Sequence, residues 1–196
     1  MDIGAVVRLA PIKDVKTMIY AFFELASRVP NVRLHIMGGV DDEDYAKECY
    51  ALVEELQLKN LIFTGRVDVV QYMQKLDFTI LTSISEGQPL SVLESMAARR
   101  PCVTTEVGCC RELLEGAPGD TFGIAGYCVP PMYVRGWPMR WRRCVPAVPG
   151  AKRWGALAKD GWMLTFTTSR CWRTTAKCTT KQLRNITWSN HGRNWI

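Results

Sequence analysis

The sequence predicts an α/β fold, a Rossmann-like parallel sheet with helices on both faces. Three observations carry that prediction. Short apolar runs recur between residues 3 and 130, and most are followed by a stretch of helical period. The runs are short and mostly apolar, as strands of a parallel sheet covered on both faces are. Gly and Pro punctuate the changes of period, at Pro11, Gly38-Gly39, Gly65 and Gly116.

The elements follow in order. Residues 3–9 form the first apolar run, with Arg8 near its end, Pro11 stopping regular structure and Lys13 beyond it. Asp14 is placed to cap a helix over residues 15–28, with Met18, Ile19, Phe22, Phe23 and Ala26 on one face. Residues 32–37 are the second strand, ended by Gly38-Gly39, a pair that serves a sharp turn as readily as a ligand. Acids at residues 41–44 open a helix that runs to about Leu56. Residues 61–64 form a third strand that ends at Gly65-Arg66-Val67, and residues 69–76 a short helix. Residues 78–81 form a fourth strand and 101–105 a fifth. Residues 109–114 form a helix and 126–130 a last strand. Ligands of such sheets bind at the carboxyl ends of strands. Arg8, Gly38, Val67 and Glu86 all fall at strand ends, so one crevice could collect them.

The chemistry is densest between Thr82 and Ala98. Small and polar residues leave the fourth strand, and a helical pattern follows with Leu90, Leu93, Met96 and Ala97 on its inner side. Glu86 lies on the loop and Glu94, eight residues on, about a turn into the helix. Free amides at the helix start favour anions. Carboxylates beside them suit sugar or ribose hydroxyls. The same residues have a structural alternative: Ser91-x-x-Glu94 is the spacing of a capping box, and Glu86 gains from the helix dipole alone.

Ser85-Glu86-Gly87-Gln88-Pro89-Leu90-x-x-x-Glu94-x-Met96-Ala97 resembles the E-x7-E signature of the retaining family 4 glycosyltransferases. Upstream, Arg8-Leu9-Ala10-Pro11-Ile12-Lys13 resembles the R-x-x-P-x-K motif of the same family. The runs PIKDVKT, DYAKEC and LTSISE are most similar to the Pel-type exopolysaccharide glycosyltransferases. The resemblance implies the C-terminal, donor-binding half of a GT-B fold. It implies that Arg8 and Lys13 grip the donor diphosphate and that Glu86 contacts hydroxyls of the donor sugar. Glu94 would hold the ribose. Gly87, Gln88, Pro89 and Leu90 would face sugar and phosphates, with Gly38 and Val67 beside the nucleotide. The implied partner is a nucleotide sugar, UDP-linked, without a metal or cofactor. An acceptor domain would precede Met1, and the whole could join a membrane polysaccharide synthesis complex. The chain as it stands is therefore expected to bind nucleotide without transferring sugar. A nucleotide-sugar epimerase on the same scaffold is the alternative. Arg99 departs from the family pattern, which has Gly after this helix.

Composition breaks near residue 136. Residues 1–136 hold 13 Lys+Arg and 18 Asp+Glu, whereas residues 137–196 hold 12 and 1. All seven Trp lie in the second stretch, which has neither helical nor strand period. The domain is therefore drawn at 1–136, and the basic, Trp-rich tail at 137–196 is expected to be out of frame and poorly ordered. Read one base earlier, codons for residues 137–144 permit Leu-Ala-Asp-Ala-Met-Glu-Ala-Leu, an amphipathic helix start. Taken at face value, the tail would instead bind nucleic acid or an anionic surface. It has no aromatic–basic period to support that, so no nucleic-acid partner is expected. Cys49, Cys102, Cys109, Cys110 and Cys128 fit no zinc spacing, nor do Cys171 and Cys178 with His191. Reduced, buried thiols in a cytoplasmic protein are expected. No apolar run is long enough to cross a bilayer, and no signal-peptide pattern follows Met1.

Overall fold

The structure, a computed structural model, describes residues 1–116 and 124–134. The tail at 137–196 and the boundary drawn at residue 136 lie outside the described residues. Five free cysteines among the described residues, Cys49, Cys102, Cys109, Cys110 and Cys128, are all buried.

Apolar runs produce the strands, and the helical stretches between them force parallel crossovers. Among the described residues the strands are β1 (Asp2–Val6), β2 (Arg33–Met37), β3 (Leu61–Gly65), β4 (Phe78–Leu81), β5 (Cys102–Thr105) and β6 (Gly126–Val129). They form one sheet in the order β3-β2-β1-β4-β5-β6. Every pairing is parallel. The helices are α1 (Val15–Ala26), α2 (Glu43–Glu55), α3 (Val69–Met73), α4 (Leu90–Ala97) and α5 (Cys110–Glu115).

Side chains alternate along each strand, so every strand but the edge strand β3 packs on both faces of the sheet. Ile3 and Ala5 of β1, Leu34 and Ile36 of β2, and Phe78 and Ile80 of β4 pack with Met18, Ile19 and Phe22 of α1 and with Ala46 and Cys49 of α2. Leu81, Cys102 and Cys128 supply a second cluster with Val92 and Met96 of α4 and Leu113 and Leu114 of α5. Met37 packs with Met73 and Leu76 beside α3. Gly4 belongs to that last region: a Cβ there would lie 2.1 Å from Leu76 Cδ1. Helices thus cover both faces, as a doubly wound sheet requires.

The caps explain most boundaries. Asp14 sits at φ 47° and accepts from Thr17 N at 3.4 Å, starting α1 where the sequence placed it. Asp42 caps α2 through Tyr45 N at 2.9 Å, and Asp68 caps α3 through Gln71 N at 3.2 Å. Three expectations need correction. The inner face of α1 does not include Phe23, which is 39% exposed. The inner face of α4 is Val92, Ser95 and Met96, while Leu90 is 69% exposed and Ala97 is exposed. Leu90 opens the helix directly after buried Pro89, so the anchor is the proline and the first side chain turns outward. Nor does Ser91 form a capping box with Glu94. The N-cap position is Pro89, which has no side-chain cap bond, and Ser91 already lies within the helix. At the other end, Arg99 adopts φ 62°, the left-handed conformation for which glycine is the usual choice.

Candidate active site

In this sheet order the direction of winding reverses between β1 and β4. A crevice opens at the carboxyl ends of those two strands. Arg8 and Lys13 leave β1 toward it, and Ser83 and Glu86 leave β4. The sequence placed Arg8 and Glu86 at strand ends; the strand order makes the two ends neighbours.

The contact across the crevice is Lys13 with Glu86. Lys13 Nζ donates to Glu86 Oε1 at 2.6 Å, with the side chains only 19% and 13% exposed. Ser83, fully buried, donates from Oγ to the same oxygen at 2.7 Å. Oε2 has no bonding partner among the described residues. The carboxylate is therefore oriented by one oxygen and presents the other, a suitable arrangement for accepting from a ligand hydroxyl.

The backbone around this pair is tied on both sides. Thr82 Oγ1 donates to Lys13 O at 2.9 Å, and Ile84 N donates to Ile12 O at 2.9 Å. These bonds hold the loop after β4 against the 3-10 turn Pro11–Lys13. Toward β5, Thr105 Oγ1 donates to Ser83 O at 2.6 Å and Cys109 N to Gly87 O at 3.2 Å. Gly108, at φ +53°, permits that approach: a Cβ would lie 2.2 Å from Glu86 O and 2.3 Å from Gly87 O. Behind it, burial pushes the Cys110 thiol above its ordinary range, and the Glu86 charge adds to the shift.

The remaining sequence candidates divide. Arg8 does not meet Glu86; its Nη1 donates to Asp41 Oδ2 at 2.7 Å in an exposed pair. Gly38 sits at φ +155°, where a Cβ would lie 2.1 Å from Val7 O, so close backbone packing accounts for it. Val67 is half-buried, its side chain packed against the cluster around Met37 and Met73. Gly87 is exposed, and Gln88 is half-buried. Pro89 and Leu90 begin α4, an eight-residue helix whose first amides have no side-chain cap. That end is a ready anion site. Glu94 is exposed on the same helix, with no side-chain partner among the described residues. Among the described residues no group of three or more His, Cys, Asp or Glu lies together as a metal site needs. No helix among them is long and apolar enough to cross a membrane.

Sequence reasoning passed over Ser83, Thr82, Thr105, Gly108 and Asp41. Ser83 reaches Glu86 three residues on, whereas the others act across chain separations that only the strand order reveals. The one available signal was their position at or a few residues past the end of a strand.

Known proteins bear on this geometry. The family described as "Glycosyl transferases group 1" matches residues 1–137. Over 90 residues the chain is 34% identical to the O-antigen biosynthesis glycosyltransferase WbnH of Escherichia coli, covering 46% of this chain and 25% of that protein. Over 127 residues it is 28% identical to the N-acetyl-alpha-D-glucosaminyl L-malate synthase of Bacillus anthracis, covering 60% of this chain and 32% of that protein. The chain therefore spans only a minor part of the curated relatives it matches. Among solved structures, Anabaena Alr3699/HepE in complex with UDP-glucose superposes with a TM-score of 0.69 at 23% identity, covering 89% of this chain and 48% of that one. The C-terminal domain of the Francisella tularensis glycosyl transferase LpcC superposes with a TM-score of 0.61 at 22% identity, covering 74% of this chain and 75% of that one. At such identities the superpositions speak for the fold. The family match, covering most of the chain and all of the crevice, establishes that this chain belongs to the group 1 glycosyltransferases.

Proposed function

We propose that the chain is the donor-binding half of a retaining glycosyltransferase that uses a UDP-linked sugar, glucose or a close relative, in polysaccharide synthesis of the Pel type. One observation carries the reading. The sheet reverses at β1 and β4, and there a buried Lys13–Glu86 pair at 2.6 Å joins a cation of one predicted motif to a carboxylate of the other. Glu86 accepts from donor sugar hydroxyls through Oε2. Glu94 holds the ribose. Arg8 and Lys13, with the uncapped amides of α4, stabilise charge on the diphosphate as it departs. No side chain stands as a nucleophile in this reading. An acceptor hydroxyl attacks the anomeric carbon on the face the diphosphate leaves, the sugar–phosphate bond breaks, and the hydroxyl proton passes to the departing phosphate oxygen. The donor complex of HepE with UDP-glucose supports the choice of nucleotide.

The acceptor side lies in the portion of the relatives that this chain does not span. Calorimetric titration tests the reading. The chain is expected to bind UDP and UDP-glucose without turnover. Glu86→Ala is expected to weaken UDP-glucose more than UDP. Failure to bind either nucleotide refutes the donor reading. Turnover by the chain alone refutes the assignment to a half-enzyme, and an epimerised product would favour the epimerase.

A further inference from the structure

The chain does not part from the sheet where β1 ends at Val6. Val7 N donates to Met37 O at 2.8 Å and Leu9 N to Gly39 O at 2.9 Å. Asp41 N and Asp42 N donate back to Leu9 O at 3.1 and 3.0 Å. Leu9 and Val40 form an isolated parallel bridge. Two segments therefore run side by side past the carboxyl edge of the sheet, fixed by main-chain bonds. Arg8 projects from one and Asp41 from the other. Their ion pair at 2.7 Å is held in register by backbone that does not depend on it.

The acids beside Asp41 have other work. Asp42 caps α2, and Asp44 pairs with Lys47. Of the run 41–44, Asp41 is the one bonded to a cation of the candidate site. The two cations also differ. Lys13 and Glu86 are largely buried, and separating them would strand a desolvated charge. Arg8 and Asp41 are 62% and 43% exposed, so their pair adds little to folding and opens readily.

We propose that Asp41 is a positioning residue, the counter-ion that holds the Arg8 guanidinium at the lip of the crevice until a nucleoside diphosphate displaces it. The inference rests on the donor-binding reading above. Arg8 exchanges one anion for another when the donor enters. Asp41 recaptures it as the diphosphate leaves. The carboxylate thus lowers affinity for the diphosphate while keeping the guanidinium oriented, and it speeds product release.

The test is a double-mutant cycle on the full chain, read by calorimetric titration with UDP. Asp41→Asn is expected to tighten UDP about 1.5-fold to fivefold, the range an exposed ion pair supports. The difference from wild type should shrink as salt is raised, because the competing attraction is screened. With Arg8→Gln already in place, Asp41→Asn should leave UDP affinity unchanged. Unchanged or weaker binding by Asp41→Asn overturns the proposal. So does equal tightening without Arg8, which would reflect general removal of negative charge. No UDP binding by wild type overturns the donor reading and this proposal with it. Wild-type binding with an inert Asp41→Asn overturns this proposal alone.

Discussion

Replacing Gly108 with alanine should damage the crevice from behind. The magnitude follows from two separate terms. Gly108 sits at φ +53°, where a side chain costs about 1 kcal/mol. A Cβ would also lie 2.2 Å from Glu86 O and 2.3 Å from Gly87 O, distances that carbon and oxygen do not tolerate. Both obstacles are backbone, so no side chain can swing away. Either the Glu86–Gly87 segment or the start of α5 must retreat by roughly 1 Å, an overpacking that costs about 2 kcal/mol more. Gly65 provides the control. It sits at φ +67°, but a Cβ there would meet nothing within 4 Å. Gly65→Ala should therefore lose about 1 kcal/mol in urea denaturation, and Gly108→Ala about 3 kcal/mol. The same displacement should act on the ligand. Glu86 would lose its register with Ser83 and Lys13, and a misplacement of that size costs about a hundredfold where geometry governs the chemistry. UDP-glucose affinity should fall further than UDP affinity. If Gly108→Ala proves no worse than Gly65→Ala, the loop yields freely, and the rigid bracketing of Glu86 argued from Thr82, Thr105 and Cys109 is wrong.

Three further perturbations test other parts of the fold. Arg99→Gly should raise stability by about 1 kcal/mol less whatever the Arg99 side chain contributes, because φ 62° then carries no Cβ penalty; thermal melting decides it. Lys13→Met strands the Glu86 carboxylate and should cost about 3 kcal/mol in urea, while adding Glu86→Leu should recover much of that. Asp2 sets an acid limit. The Arg33 hydrogen bond holds its carboxyl below the ordinary 3.8, with His35 contributing less. The unfolded chain takes up that proton at higher pH than the folded one does. The stabilisation is thus present above the ordinary value and lost as pH falls through the depressed one. Melting temperatures between about pH 5 and about pH 2.5 should fall less steeply for Asp2→Asn than for wild type.

The strands and the loop after β4 were legible because their signal is local. Phe78–Leu81 is a four-residue run, apolar but for Thr79, that ends at a polar loop, and the structure gives that strand the same bounds. Asp14 advertises the start of α1 through one side chain, and it caps; Asp42 and Asp68 cap α2 and α3 in the same way. Arg99 was legible for the same reason, since a helix ending without glycine leaves its own residue to take the left-handed turn. What sequence could not supply was register. The pairing of Leu9 with Val40 depends on which strands lie beside β1, and no periodicity encodes it. Asp41, 33 residues from Arg8, therefore could not be read from the sequence as its partner. The inner face of α4 was misread for a local reason. Helical spacing from Leu90 assumes that the first turn packs like the rest, but buried Pro89 anchors the entry and leaves Leu90 outward.

The pairing of Arg8 with Asp41 points to one physical feature of the crevice. Its groups are arranged by contacts between loops, each short and each fixed to a neighbouring strand end by main-chain bonds. Glu86 is positioned from β1 through Lys13, from β4 through Ser83, and from the segment after β5 through Gly108. Arg8 is positioned from β2 through Asp41. Four strand ends thus converge on two side chains, and they can converge only because β2, β1, β4 and β5 are consecutive in the sheet. A change in strand order would leave every motif intact in the sequence and disperse the site. The order of the sheet, more than either motif, makes the carboxylate and the guanidinium parts of one crevice.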